Sequence, residues 1–148
     1  ARGSGVMNAV TEILDRARSK AVESGVEVEL REGLSFDLPY PDDSFDRVTS
    51  SLFFHHLIRS DKVRTLAEVR RVLRPGGELH IADWGRPGDP LMKALSLGIA
   101  IFDGREQTAD NLAGRLPALI ESAGFSRVAK GSSFRTPFGV LRLLSAEI

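Results

Sequence analysis

Apolar positions recur at helical spacing in some stretches of the chain and at strand spacing in others. Over residues 11–24, Ile13, Leu14, Ala17 and Ala21 share one helical face, with Thr11 placed as N-cap and Gly25 as stop. Val26-Glu27-Val28-Glu29-Leu30 alternates apolar and charged residues, which predicts a strand with one wet face. Residues 34–44 read as a loop punctuated by Pro39, Pro41 and Asp42-Asp43-Ser44. A second strand is predicted over 45–54, centred on Val48. A helix follows over 61–73, capped by Ser60, buried along Val63, Leu66, Val69 and Leu73, and carrying an outward Glu68–Arg71 pair.

Arg74-Pro75-Gly76-Gly77 ends that helix, because proline cannot continue it and glycine permits positive φ. A third strand is expected over 78–84 and an apolar helix over 90–102. A further helix over 112–123 is broken or restarted by Pro117 and stopped by Gly124. Strands over 126–130 and 138–146 read most simply as an antiparallel hairpin. The succession predicts an α/β sandwich with a mostly parallel sheet.

Composition narrows the classes. The 148 residues suit one domain, and 20 basic against 20 acidic residues leave no net charge. A general nucleic-acid binder carries a basic surplus, so none is expected as a partner. With no cysteine, disulfides, thiolate nucleophiles and cysteine zinc sites are excluded, which agrees with a cytoplasmic location. The longest apolar run, 94–102, is about half the ~20 residues of a membrane span. No signal region opens the chain; residues 1–10 read equally as native coil or as a cloning remnant.

Four segments carry a family resemblance. Asp37-Leu-Pro-Tyr-Pro-Asp-Asp-Ser-Phe-Asp46 resembles the approach to the fourth strand of small-molecule class I S-adenosylmethionine-dependent methyltransferases, the family that includes quinone-biosynthesis enzymes. Ser51-Leu-Phe-Phe-His-His-Leu57 resembles the motif after that strand. Glu68-Val-Arg-Arg-Val-Leu-Arg-Pro-Gly-Gly-Glu78 and Ile81-Ala-Asp-Trp84 resemble the entry to and end of the fifth. The resemblance covers residues 11–148 and implies a Rossmann-like sandwich, S-adenosylmethionine as cofactor and a small, partly apolar acceptor under the helix at 91–102.

The departures are as specific. The family's acidic-x-Gly-x-Gly-x-Gly loop occurs nowhere in the sequence, so the resemblance implies an N-terminally truncated domain lacking the usual first strand. Asn8 stands where a carboxylate grips the ribose, and Leu34, beside Ser35, where an aspartate lies near the adenine. The missing strand belongs between the second and fourth, so a non-standard strand order or a homodimer through that gap is expected.

By resemblance, Asn8, Leu34, Ser35, Ser50, Ser51 and Phe53 line the cofactor side, and His56, Trp84 and Arg86 the acceptor side. His55 and Asp83 are the candidate bases for a hydroxyl or carbon acid. A metal held by His55, His56, His80 and Asp83 is not expected, since adjacent histidines diverge on most backbones and alternate strand residues face opposite sides. The alternatives are a catalytically inactive methyltransferase-like scaffold and, more distantly, a nicotinamide dehydrogenase, which also lacks its phosphate-binding glycines here.

Overall fold

A computed structural model describes the backbone of residues 4–148 and the side chains of residues 14–148. The chain divides into two compact units, 1–34 and 35–148. Helix α1 (Ser4–Glu23) makes up most of the first. Residues 4–10, read as coil, belong to this helix, as does Thr11, the expected cap; Asn8 lies within it, its side chain outside the described set. Its C-terminus closes as the sequence suggests. Gly25 takes φ +63°, its N–H donates to the Val22 carbonyl, and the Val26 N–H reaches back to Ala21. The strand expected at 26–30 is irregular, with Val26 and Val28 exposed. Alternation makes a strand only where a neighbour completes the ladder, and no described strand pairs with this segment.

The second unit carries a four-stranded sheet of order β1-β2-β4-β3. Strand β1 (Phe45–Ser51) runs parallel to β2 (Leu73–Trp84), and the connection between them contains α2 (Arg59–Val72). Helices α3 (Pro90–Phe102), α4 (Arg105–Leu112) and α5 (Leu116–Ser122) follow. Strands β3 (Ser126–Thr136) and β4 (Gly139–Glu147) form the expected antiparallel hairpin, with β4 inserted against β2. The Rossmann-like sandwich therefore combines one parallel pair with two antiparallel ones. Strand β1 is an edge whose outer side meets no described strand, so no replacement strand has been drawn into the sheet.

Leu66 and Val69 of α2 and Leu116 and Ile120 of α5 pack with Leu79, Ile81, Leu144 and Ala146 of the sheet. The buried stripe of α2 is rotated from the expected one. Val63 is exposed, while Lys62, Thr65, Leu66, Val69 and Val72 are buried. Lys62 can turn inward because its Nζ donates to the Gln107 carbonyl at 2.5 Å and lies 3.9 Å from the Asp110 carboxylate. Ser60 does not cap α2; Ile58 holds the cap position without a side-chain bond. The Glu68–Arg71 pair is present at 2.8 Å, Arg71 also reaching Asp42, and together they clasp the 38–42 loop. Pro117 restarts a helix: α5 is separate from α4, and Gly124 ends it at φ +88°.

Asp110 joins three cations: Arg59, Arg115 at 2.8 Å and buried Lys62. Its carboxyl is lowered from 3.8 to about 2, mainly by the Arg59 hydrogen bond and then that of Arg115, against its own desolvation. A carboxyl depressed on folding contributes stability that is complete above its unfolded value and lost as pH falls through its folded one. Asp110→Asn should therefore cost ~3 kcal/mol in urea unfolding at pH 7. About 2 kcal/mol of the wild-type advantage should disappear between pH 5 and pH 2. A pH-independent difference would contradict this assignment.

Candidate active site

Strands β1 and β2 are parallel, so both end at the same sheet edge, where open α/β sheets take ligands. Ser51 pairs with Ala82, which sets the chain leaving β1 beside Asp83. Leu52 turns at φ +50°, its N–H donating to the Ala82 carbonyl, and a 3₁₀ turn follows over Phe54–His56. Asp83 gathers this turn. Its carboxylate accepts from the N–H of Phe53 (3.2 Å), His55 (3.3 Å) and Trp84 (2.7 Å), and it pairs with His55 Nδ1 at 2.6 Å.

Both members of the pair are buried, Asp83 at 2% and His55 at 3% exposure. A carboxylate can only accept, so its contact assigns a proton to Nδ1, and in the neutral imidazole Nε2 is then the acceptor. Nε2 lies 3.6 Å from Asp103 Oδ2, too long for a hydrogen bond. Asp103 caps the C-terminus of α3 and also lies 3.8 Å from His56 Nδ1. His56 is half exposed, and it and Asp103 border the imidazole on its solvent side. Trp84 meets the His55 ring edge-on, centroids 6.2 Å apart.

The histidines are placed differently from the sequence expectation in two respects. His55 and His56 do not diverge, because the tight 3₁₀ turn brings their ring centroids within 3.9 Å. The potential ligand group is His55, His56 and Asp103, with ligand atoms within 4.8 Å of one another. His80 lies apart from it and pairs with Glu78 at 2.9 Å.

The cofactor-side candidates separate by unit. Ser35, Ser50, Ser51 and Phe53 border one open groove of about 320 Å³ along β1, which Thr49 and Val69 also line. Ser35 Oγ is engaged with Thr65 Oγ1 at 2.8 Å, whereas Ser50 Oγ is buried without a partner. Leu34 belongs to the first unit and is exposed. Trp84 and Arg86 line a different, smaller pocket beyond Asp83. Sequence reasoning missed Asp103 and Asn111. Each sits at a helix C-terminus, and the linear pattern there shows only a helix stopping.

Comparison with known proteins bears on the family and the fold. A family profile described as a methyltransferase domain matches residues 6–81. Demethylmenaquinone methyltransferase of Deinococcus radiodurans is 40% identical over 86 residues, 58% of this chain and 35% of that protein. Methyltransferase GfsG of Streptomyces halstedii is 39% identical over 114 residues, 74% of this chain and 38% of its own. A methyltransferase structure from Methanosarcina mazei superposes with a TM-score of 0.62 at 19% identity, over 82% of this chain and 68% of that one, a likeness of fold. The chain belongs to the class I S-adenosylmethionine-dependent methyltransferases. It spans little more than a third of the length of these two curated relatives.

Removing the Asp83 carboxylate should leave three backbone donors and an imidazole without their acceptor. Asp83→Ala is expected to lower unfolding stability by ~3 kcal/mol in urea titration. A loss below about 1 kcal/mol would show that the turn holds itself.

Proposed function

We propose that the chain carries the acceptor-activating half of an S-adenosylmethionine-dependent methyl transfer to a small molecule, with His55 as general base. The buried Asp83–His55 pair at the shared end of β1 and β2 carries this reading. When bound, the cofactor supplies a methyl group on a positively charged sulfur, already electrophilic enough that positioning and water exclusion do most of the work. The groove along β1 fits such a group: it is partly apolar and holds the unpartnered hydroxyl of Ser50, with Ser51 and Phe53 beside it.

His55 Nε2 takes the proton of the acceptor's O–H or N–H as the new bond to carbon forms. The bound cofactor would supply the methyl group, and its sulfur would keep the electron pair of the carbon–sulfur bond given up. Asp83 and Asp103 flank the resulting imidazolium and stabilise its charge. His56 and Trp84 border the acceptor.

Calorimetry with S-adenosylhomocysteine should give micromolar binding; no heat at millimolar ligand would favour the inactive scaffold instead. His55→Gln should slow transfer about 10²–10⁴-fold with cofactor affinity unchanged. Metal chelation should leave the rate intact, and a loss on chelation would reassign His55, His56 and Asp103 to a metal role. The open outer edge of β1 supports the homodimer inferred from the sequence. No described helix is long and apolar enough to cross a membrane.

A further inference from the structure

A cavity of about 170 Å³, lined by Asp83 but not by His55, shares no lining residue with the groove along β1. Its walls hold three cations, Arg86, Lys130 and Arg142. Several arginines elsewhere in the unit are tied down: Arg59 and Arg115 by Asp110, Arg71 by Glu68, Arg135 by Asp89. The side chains of Arg86, Lys130 and Arg142 make no hydrogen bond or ion pair with any described residue.

Two glycines make room for the arginines. A Cβ at Gly85 would stand 2.9 Å from Arg142 Cβ and 3.2 Å from its Nε, and one at Gly114 would stand 3.2 Å from Arg86 Cβ. Gly114 also holds φ +74°, which disfavours any side chain there. The register shift between Lys130 and Ser133 interrupts the β3–β4 ladder at the same place. A second polar demand comes from Asn111, which is fully buried and lines the cavity. Its Nδ2 donates to the Trp84 carbonyl at 3.3 Å, and its Oδ1 has no partner. Leu116, Pro117 and Leu144 complete the wall with apolar surface.

We infer that this cavity binds a small organic acid, its carboxylate facing Arg86, Lys130 and Arg142 and its O–H or N–H donating to Asn111 Oδ1. The apolar wall and the volume suit a body of about one six-membered ring, since engineered cavities of about 150 Å³ hold benzene. Burying an acid requires paired charge, and three uncommitted cations supply it. Asp83 lines the cavity, yet its carboxylate is turned to His55 and three backbone N–H groups. As a statement about the acceptor, the inference rests on the methyl-transfer reading: an acceptor bearing an acid would be anchored here, in the cavity that Asp83 lines. Binding of the acid does not depend on that reading.

Trp84 is the only tryptophan and lines the cavity, so its fluorescence reports occupancy without cofactor. The chain is titrated with 4-hydroxycyclohexanecarboxylate, cyclohexanecarboxylate, cyclohexanol and inorganic phosphate. The hydroxy acid should saturate the signal at a concentration at least about tenfold below cyclohexanol, with cyclohexanecarboxylate between them. Lys130→Gln, an exposed position, and Arg142→Gln should each weaken the acid about five- to tenfold and leave cyclohexanol unchanged, in variants whose circular dichroism matches wild type. Equal affinity for acid and alcohol, indifference to both substitutions, or phosphate binding as tightly as the acids would overturn the inference. None of these outcomes would touch cofactor binding, which calorimetry with S-adenosylhomocysteine reads separately.

Discussion

A buried carboxylate is tolerated only when hydrogen bonds replace the water it has lost, and the architecture around the site follows from how Asp83 meets that requirement. Its partners come from three places: the backbone leaving β1, the imidazole one turn later, and the residue that follows it at the end of β2. The contacts bind two strand ends and a 3₁₀ turn into one rigid unit. They also fix the ring of His55, so that a proton acceptor is presented toward Asp103 and His56 and not lost into the core. The positive φ of Leu52 is sustained within the same arrangement.

Much of the fold was legible in the sequence because local chemistry and tertiary structure agree. Gly25 and Gly124 stop helices by taking the left-handed conformation, and Glu68 pairs with Arg71 one turn away. The ordered motifs from Asp37 to Trp84 pointed to the family that the comparisons support. The errors share a cause: they depend on partners distant in sequence. The face of α2 is decided by Lys62, whose burial makes sense only with Gln107 and Asp110 in place. Residues 26–30 alternate as a strand does, but no described strand flanks them.

The site was half readable for the same reason. His55 and Asp83 could be chosen by their place at strand ends, and the structure joins them. Asp103 could not, because it reaches the histidines only through the packing that returns α3 to the 3₁₀ turn. The assumption that neighbouring histidines diverge holds for an extended backbone and fails in a tight turn, where successive rings can meet. Unpartnered polar groups occur in two places: Ser50 Oγ in the groove along β1, and Asn111 Oδ1 with three cations around the second cavity.

The central claim is that Asp83 fixes His55 as the Nδ1–H tautomer with Nε2 unprotonated and available. Long-range ¹H–¹⁵N NMR of the folded chain, with the ring nitrogens labelled and the imidazole neutral, reads this directly. The account predicts a protonated Nδ1 and a bare Nε2 for His55, with the pattern lost in Asp83→Asn. An Nε2–H tautomer, or two tautomers averaged in rapid exchange, would contradict it.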